Sequence, residues 1–182
     1  MRKIVLTFGL IAGGILSASM LLAVPFQDAI GFDRGAIIGY TSMVLAFLMI
    51  YFGVRRYRDL AGGRVSFGRA LSVGVMIAVV ATVCYVASWQ LVYYKLSPRF
   101  EDKYAAHAIE QARRAGASDA EIAARTKEMA QFKAMYANPL VNIAFTFLEP
   151  LPVGFLFALV SAGFLSRRRR ESTPGRETVA AA

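Results

Sequence analysis

Four long stretches without basic residues, holding a single acid between them, decide most of what this chain can become. Ile4 to Val24, Ala36 to Val54, Ala70 to Tyr94 and Leu140 to Ser166 are otherwise uncharged, the one exception being Glu149. A helix of ~20 apolar residues crosses the hydrocarbon core of a bilayer. Lipid offers no partner to a backbone N–H or C=O, so a helix that satisfies its own groups is a natural way to cross. Over the whole chain 57% of residues are hydrophobic and 18% charged, and the charges gather between the runs. The expected fold is therefore all-α, a four-helix transmembrane bundle forming one membrane domain over residues 1–170. The polar tail 171–182, with Pro174 and Gly175, is expected to be disordered.

Arg2 and Lys3 before the first run resemble the opening of a signal peptide. The apolar core of such a peptide is usually about 7–15 residues, and this run is long enough to be a retained span. Between spans three and four the composition changes. Residues 95–138 hold eight Lys/Arg, six Asp/Glu and many alanines. They read as a soluble helical hairpin broken at Gly116. Ser118 and Glu121 have the spacing of a capping box, and Ile122, Met129, Phe132 and Tyr136 trace one apolar face. Asn138-Pro139 ends the second helix.

The net charge of +9 invites a nucleic-acid reading, but the basic residues sit beside apolar runs and no nucleic-acid motif is present. Basic residues flanking spans are retained in the cytoplasm. Arg2, Lys3, the hinge residues Arg55, Arg56, Arg58, Arg64 and Arg69, the cluster Arg167 to Arg170, and Arg176 all fall on one side if both termini share it. That places both termini and the hinge in the cytoplasm and makes the hairpin extracytoplasmic. Besides setting topology, the hinge arginines suit anionic lipid headgroups. Tyr85, Trp89, Tyr93 and Tyr94 are expected as interfacial aromatics at the far end of span three.

Within span four, Asn138, Asn142, Thr146 and Glu149 recur at helical spacing and form a polar stripe. Pro150 and Pro152 follow, each removing a backbone donor, so a kink is expected there. Two readings fit Glu149. It can sit near the N-cap of a helix starting at Pro150, with the preceding segment at the membrane interface. Alternatively the kinked helix presents the stripe to a cavity where Glu149 binds a cation or proton, with Gln90 and Tyr40 as partners.

Small residues recur every fourth position at Gly9-Gly13-Ser17, Ala70-Gly74-Ala78 and Gly154-Ala158-Ala162. Such stripes allow close helix approach. They suit packing within the chain, with a homo-oligomer or a membrane protein partner as the alternative. Cys84, with no second cysteine, is read as a small hydrophobe, and His107 as a solvated helix residue. No HExxH, GxSxG, phosphate loop or Cys/His pair is present. No catalytic residue, metal site or cofactor is therefore expected.

Several of these segments resemble DUF4199, a family of four-span bacterial inner-membrane proteins of unknown function. The resemblance lies in Gly39-Tyr40-Thr41-Ser42-Met43, in Gly53 with Arg56-Tyr57-Arg58-Asp59, and in Gly63, Phe67, Ala70 and Gly74. It continues through Tyr85 and Trp89. After the hairpin it resumes at Met129, Tyr136-Ala137-Asn138-Pro139, Thr146-Phe147-Leu148-Glu149 and Pro152-Val153-Gly154. It runs from about Ile4 to Arg170, and only the arginine-rich, alanine-ended tail departs from it. The resemblance implies a multi-pass protein of the bacterial inner membrane and brings no activity with it. The expected role is a non-enzymatic membrane component acting through helix packing or a partner. A small ion- or proton-coupled carrier using Glu149 is the alternative.

Overall fold

A computed structural model describes residues 1–166, and among them there is no strand. Arg167 to Arg170 and the tail after them lie outside the described residues. Helix α1 (Arg2–Ala23) passes through a short 3₁₀ turn at Pro25 into α2 (Gln27–Ile30). Gly31, at φ 74°, separates α2 from α3 (Phe32–Leu60). Helix α4 (Phe67–Leu91) ends in a π-helical turn, Val92–Leu96. The hairpin helices α5 (Phe100–Arg114) and α6 (Asp119–Tyr136) follow, then α7 (Pro139–Leu148) and α8 (Leu151–Leu165). Four stretches are long and apolar enough to span a membrane: Arg2–Ile30, Phe32–Leu60, Phe67–Leu96 and Pro139–Leu165.

The helices outrun the apolar stretches that announce them. Arg55, Arg56 and Arg58 are helical, on the last turns of α3, and Arg69 lies in the first turn of α4. Of the five hinge arginines only Arg64 is in the connecting loop. Arginine is a good helix former, so α3 continues until glycine stops it. Gly62 and Gly63 both take φ 79°, and the Gly63 N–H donates to the Arg58 carbonyl at 3.0 Å, closing the helix end. Arg55, Arg56, Arg64 and Arg69 are exposed, and Arg58 bonds Asp59 at 3.1 Å. Together with Arg2 and Lys3 they make one end of the bundle basic.

Helix α4 packs against α1, α3 and α8, while α1 and α8 flank the α3–α4 pair. Phe47, Ile50 and Val54 of α3 and Val73 and Ile77 of α4 are fully buried between them. Lipid tails are as apolar as these side chains, so close van der Waals fit holds such helices together. The small-residue stripes supply it within the chain. A Cβ on Gly9 would come within 2.6 Å of Val80 Cβ, and one on Gly13 within 2.6 Å of Cys84 Cβ. Gly74 lies under Ala158 and Gly154 under Ala78, each with 2.9 Å to a hypothetical Cβ. Hence α1 and α8 grip α4 through separate stripes. Cys84 is the side chain that Gly13 makes room for. One turn on, Ser88 Oγ donates to Ser17 Oγ at 2.7 Å across the same helix pair.

The hairpin folds as its sequence implies. Gly116 turns at φ 81°, Ser118 Oγ accepts from the Glu121 N–H, and Glu121 accepts from the Ser118 N–H at 2.8 Å. The Ser118 N–H first, and then the Ser118 hydroxyl, both donating to Glu121 Oε2, hold that exposed carboxyl below its usual range. Lys133 of α6 pairs with Asp102 of α5, and that hydrogen bond raises the lysine above its usual value. On α6 only Ile122, Met129, Phe132 and Tyr136 are withdrawn from solvent.

At the end of the bundle opposite the arginines the hairpin is clasped to the first connection. Lys103 donates to Asp28 at 2.6 Å, and His107 sits 3.2 Å from Asp33. Phe32 lies against Phe100, Tyr104 and His107, with ring centroids 5.9, 5.8 and 5.1 Å away. His107 is thus not a free solvated residue but a tie between α5 and α3. The aromatic residues of span three also differ from expectation. Tyr93 is buried, Trp89 packs edge-on against Phe100 at 4.8 Å, and of the four rings only Tyr94 is largely exposed. The hairpin covers the ground where an aromatic belt would face lipid, so these rings turn inward.

Candidate ligand cavity beneath the hairpin

The cavity exists because span four breaks. Asn138 caps α7, its Oδ1 accepting from the Leu140 N–H at 3.0 Å, and Pro139 occupies the first turn. Pro150 and Pro152 have no N–H to give the carbonyls of Thr146 and Leu148, and the regular helix is interrupted between α7 and α8. Helix α7 packs on α4 and on the end of α6, whereas α8 packs on α4 and α3. Above the break α3 loses its neighbour in span four. From Ala36 to Thr41 every residue of α3 is exposed. Between α1, α3, α4 and α7, roofed by the hairpin, lies a cavity of about 690 Å³.

The polar stripe divides at this cavity. Asn138 is exposed and acts as a cap. Asn142 and Thr146 are buried, and Glu149 is on the cavity wall with accessible surface of its own. Glu149 Oε2 accepts from the Tyr85 hydroxyl at 3.0 Å. Gln90 does not reach Glu149. Its Nε2 donates instead to Asn142 Oδ1 at 2.8 Å, and Tyr40 lines the cavity from α3 without bonding the carboxylate. The Thr146 hydroxyl donates to the Asn142 carbonyl at 2.8 Å. Tyr136 closes the network, accepting from Trp89 Nε1 at 2.9 Å and lying 3.4 Å from Thr146 Oγ1. Most buried polar groups in folded proteins are hydrogen-bonded, and here these bonds tie α4 to α6 and α7, while the buried Asn142 Nδ2 has no partner among the described residues.

Glu149 therefore combines features of both readings. It stands at the break just before α8, whose N-cap is Pro150, and it also faces a cavity. Its stripe neighbours Asn142 and Thr146 are buried against α4 and α6. Tyr85, Trp89 and Tyr136 are the residues that sequence reasoning assigned elsewhere. The spacing held a signal: Ala78, Thr82, Tyr85, Trp89 and Val92 continue the buried face of α4 to its end.

Chemically the wall offers two carboxylates, Glu149 and the Asp33 that lies beside His107, together with phenol and indole groups and apolar side chains from α1 and α3. No three His, Cys, Asp or Glu side chains gather at metal-binding distance among the described residues. The basic hinge lies at the other end of the bundle and contributes nothing to this cavity.

No curated protein and no solved structure matches the chain. The family model described as protein of unknown function (DUF4199) matches residues 7–167, nearly the whole membrane domain. A match of that extent over all four apolar helices and the hairpin means that the chain belongs to the DUF4199 family.

Proposed function

We propose that this protein is a non-enzymatic component of the bacterial inner membrane that binds a small amphipathic molecule within the bilayer. The observation that carries this reading is the cavity of about 690 Å³ with Glu149 on its wall. Ligand pockets are concave, mostly apolar and furnished with a few placed polar groups. An ionisable residue at membrane depth is a functional hypothesis by default. Both termini and the basic end face the cytoplasm by the distribution of arginine, which puts the cavity roof outside. The exposed Arg55, Arg56 and Arg69 at that end suit anionic headgroups.

The hairpin belongs to the same function, since it forms the cavity roof and fixes Trp89 and Tyr136. A partner protein that senses the occupied state would meet the hairpin first.

A second reading is favoured by the position of Glu149 at a proline break. An ion- or proton-coupled carrier would load that carboxylate and use the break as a hinge. Four spans are few for a solute path, so this version works as a homodimer.

Glu149→Gln separates a functional carboxylate from a structural one. The variant is expected to reach wild-type abundance in the membrane. It should nevertheless fail to restore the defect caused by deleting the gene. Immunoblotting of membranes alongside complementation checks this, and full complementation would rule out a role for the charge.

A further inference from the structure

We infer that the molecule held in this cavity carries a cationic amine head beside Glu149 and an apolar body along α3, an inference resting on the binding reading above. Glu149 accepts a hydrogen bond from Tyr85, and no lysine or arginine pairs with it among the described residues. A carboxylate in apolar surroundings is stabilised by an opposite charge that comes with its own hydrogen-bond donors. An ammonium group supplies both.

The aromatic lining points the same way. Tyr40, Tyr85, Trp89, Tyr136 and Phe145 border the cavity with Glu149. Ring faces attract cations, and aromatic rings lining the same cavity as a carboxylate suit an amine. An anionic head would instead meet Glu149 without a compensating base nearby. The basic lining groups, His107 and Arg125, belong to the hairpin roof.

The rest of the wall fits an apolar body. Leu16, Met20 and Met43 line it too, and the exposed stretch of α3 from Ala36 to Thr41, Ile38 among it, opens the cavity sideways. A molecule dissolved in the bilayer can enter between α3 and α7 without crossing the polar roof.

The chain has one tryptophan, and it lines the cavity, so its fluorescence reports occupancy. The test uses the purified full chain in phosphatidylcholine nanodiscs, titrated with dodecylamine brominated at mid-chain. The matching alcohol and carboxylate serve as controls, because bromine quenches tryptophan only at close range. The amine is expected to quench Trp89 saturably, at a mole fraction about tenfold below that of either control. Glu149→Gln should erase the preference, and Glu149→Asp, which keeps the charge, should retain most of it.

Gly39→Phe places a ring in the cavity at a position where an added Cβ meets nothing within 4 Å. It should abolish quenching by all three probes. Equal quenching by the three, or stronger quenching by the carboxylate, overturns the cationic ligand while the cavity stands if Gly39→Phe still blocks it. Quenching unchanged by Gly39→Phe overturns the cavity reading itself, and the inference with it.

Discussion

Gly13→Leu is expected to remove most of the folded protein from the membrane, while Gly14→Leu leaves it in place. The two residues are neighbours on α1, and their surroundings decide the difference. A Cβ at Gly13 would stand 2.6 Å from Cys84 Cβ and 3.4 Å from Ala81 Cα, whereas one at Gly14 meets nothing within 4 Å. Overpacking a well-filled interface costs on the order of 1–3 kcal/mol, and leucine adds three more carbons to the clash. A side chain at Gly14 points into lipid, and replacing a mid-helix glycine there can gain about 0.5–1 kcal/mol. Denaturation in rising dodecyl sulfate, followed by circular dichroism, reads both. Equal stability of the two variants would mean that α1 does not seat on α4 through this stripe.

Replacement of residues 95–138 by a flexible Gly/Ser linker of about ten residues should leave the four spans intact and abolish function. Such a linker reaches roughly 17 Å, enough to join neighbouring helices. The spans hold one another through α1, α3, α4 and α8, none of which needs the hairpin for its core contacts. The cavity does need it. Trp89 would lose its bond to Tyr136 and its edge contact with Phe100, so its emission should shift to the red. Complementation of the deletion defect should fail. If the linker variant restored every defect, the hairpin would have no part in the role assigned to it.

How far the sequence leads depends on the range of each interaction. The capping box at Ser118 and Glu121 spans three residues, and it forms as read. The small stripes are legible too, because in lipid a glycine every fourth residue has few other uses. Which stripe meets which is not legible: Gly74 and Ala158 are far apart in the chain, and only the assembled bundle pairs them. The same holds at the cavity. Composition alone marks Glu149 as unusual, but its donor Tyr85 is 64 residues away and shares its type with seven other tyrosines. The clasps Asp28–Lys103 and Asp33–His107 cross separations of 75 and 74 residues, so His107 carries no local sign of its role.

The aromatic residues teach a related lesson. Tyrosine and tryptophan at a span end favour the membrane interface when that end is bare. Here α5 and α6 lie over it, and the rings become the wall and roof supports of a cavity. A local preference was overridden by a segment that follows it in the chain.

The central claim is that the cavity between α3 and α7 holds a small molecule. Its most direct test is the native mass of the chain, extracted gently from its own membranes, compared with that of Gly39→Phe. The account predicts a reproducible non-protein mass on the wild-type chain, released on activation and absent from the variant. A bare chain in both samples, or the same extra mass on both, would contradict it.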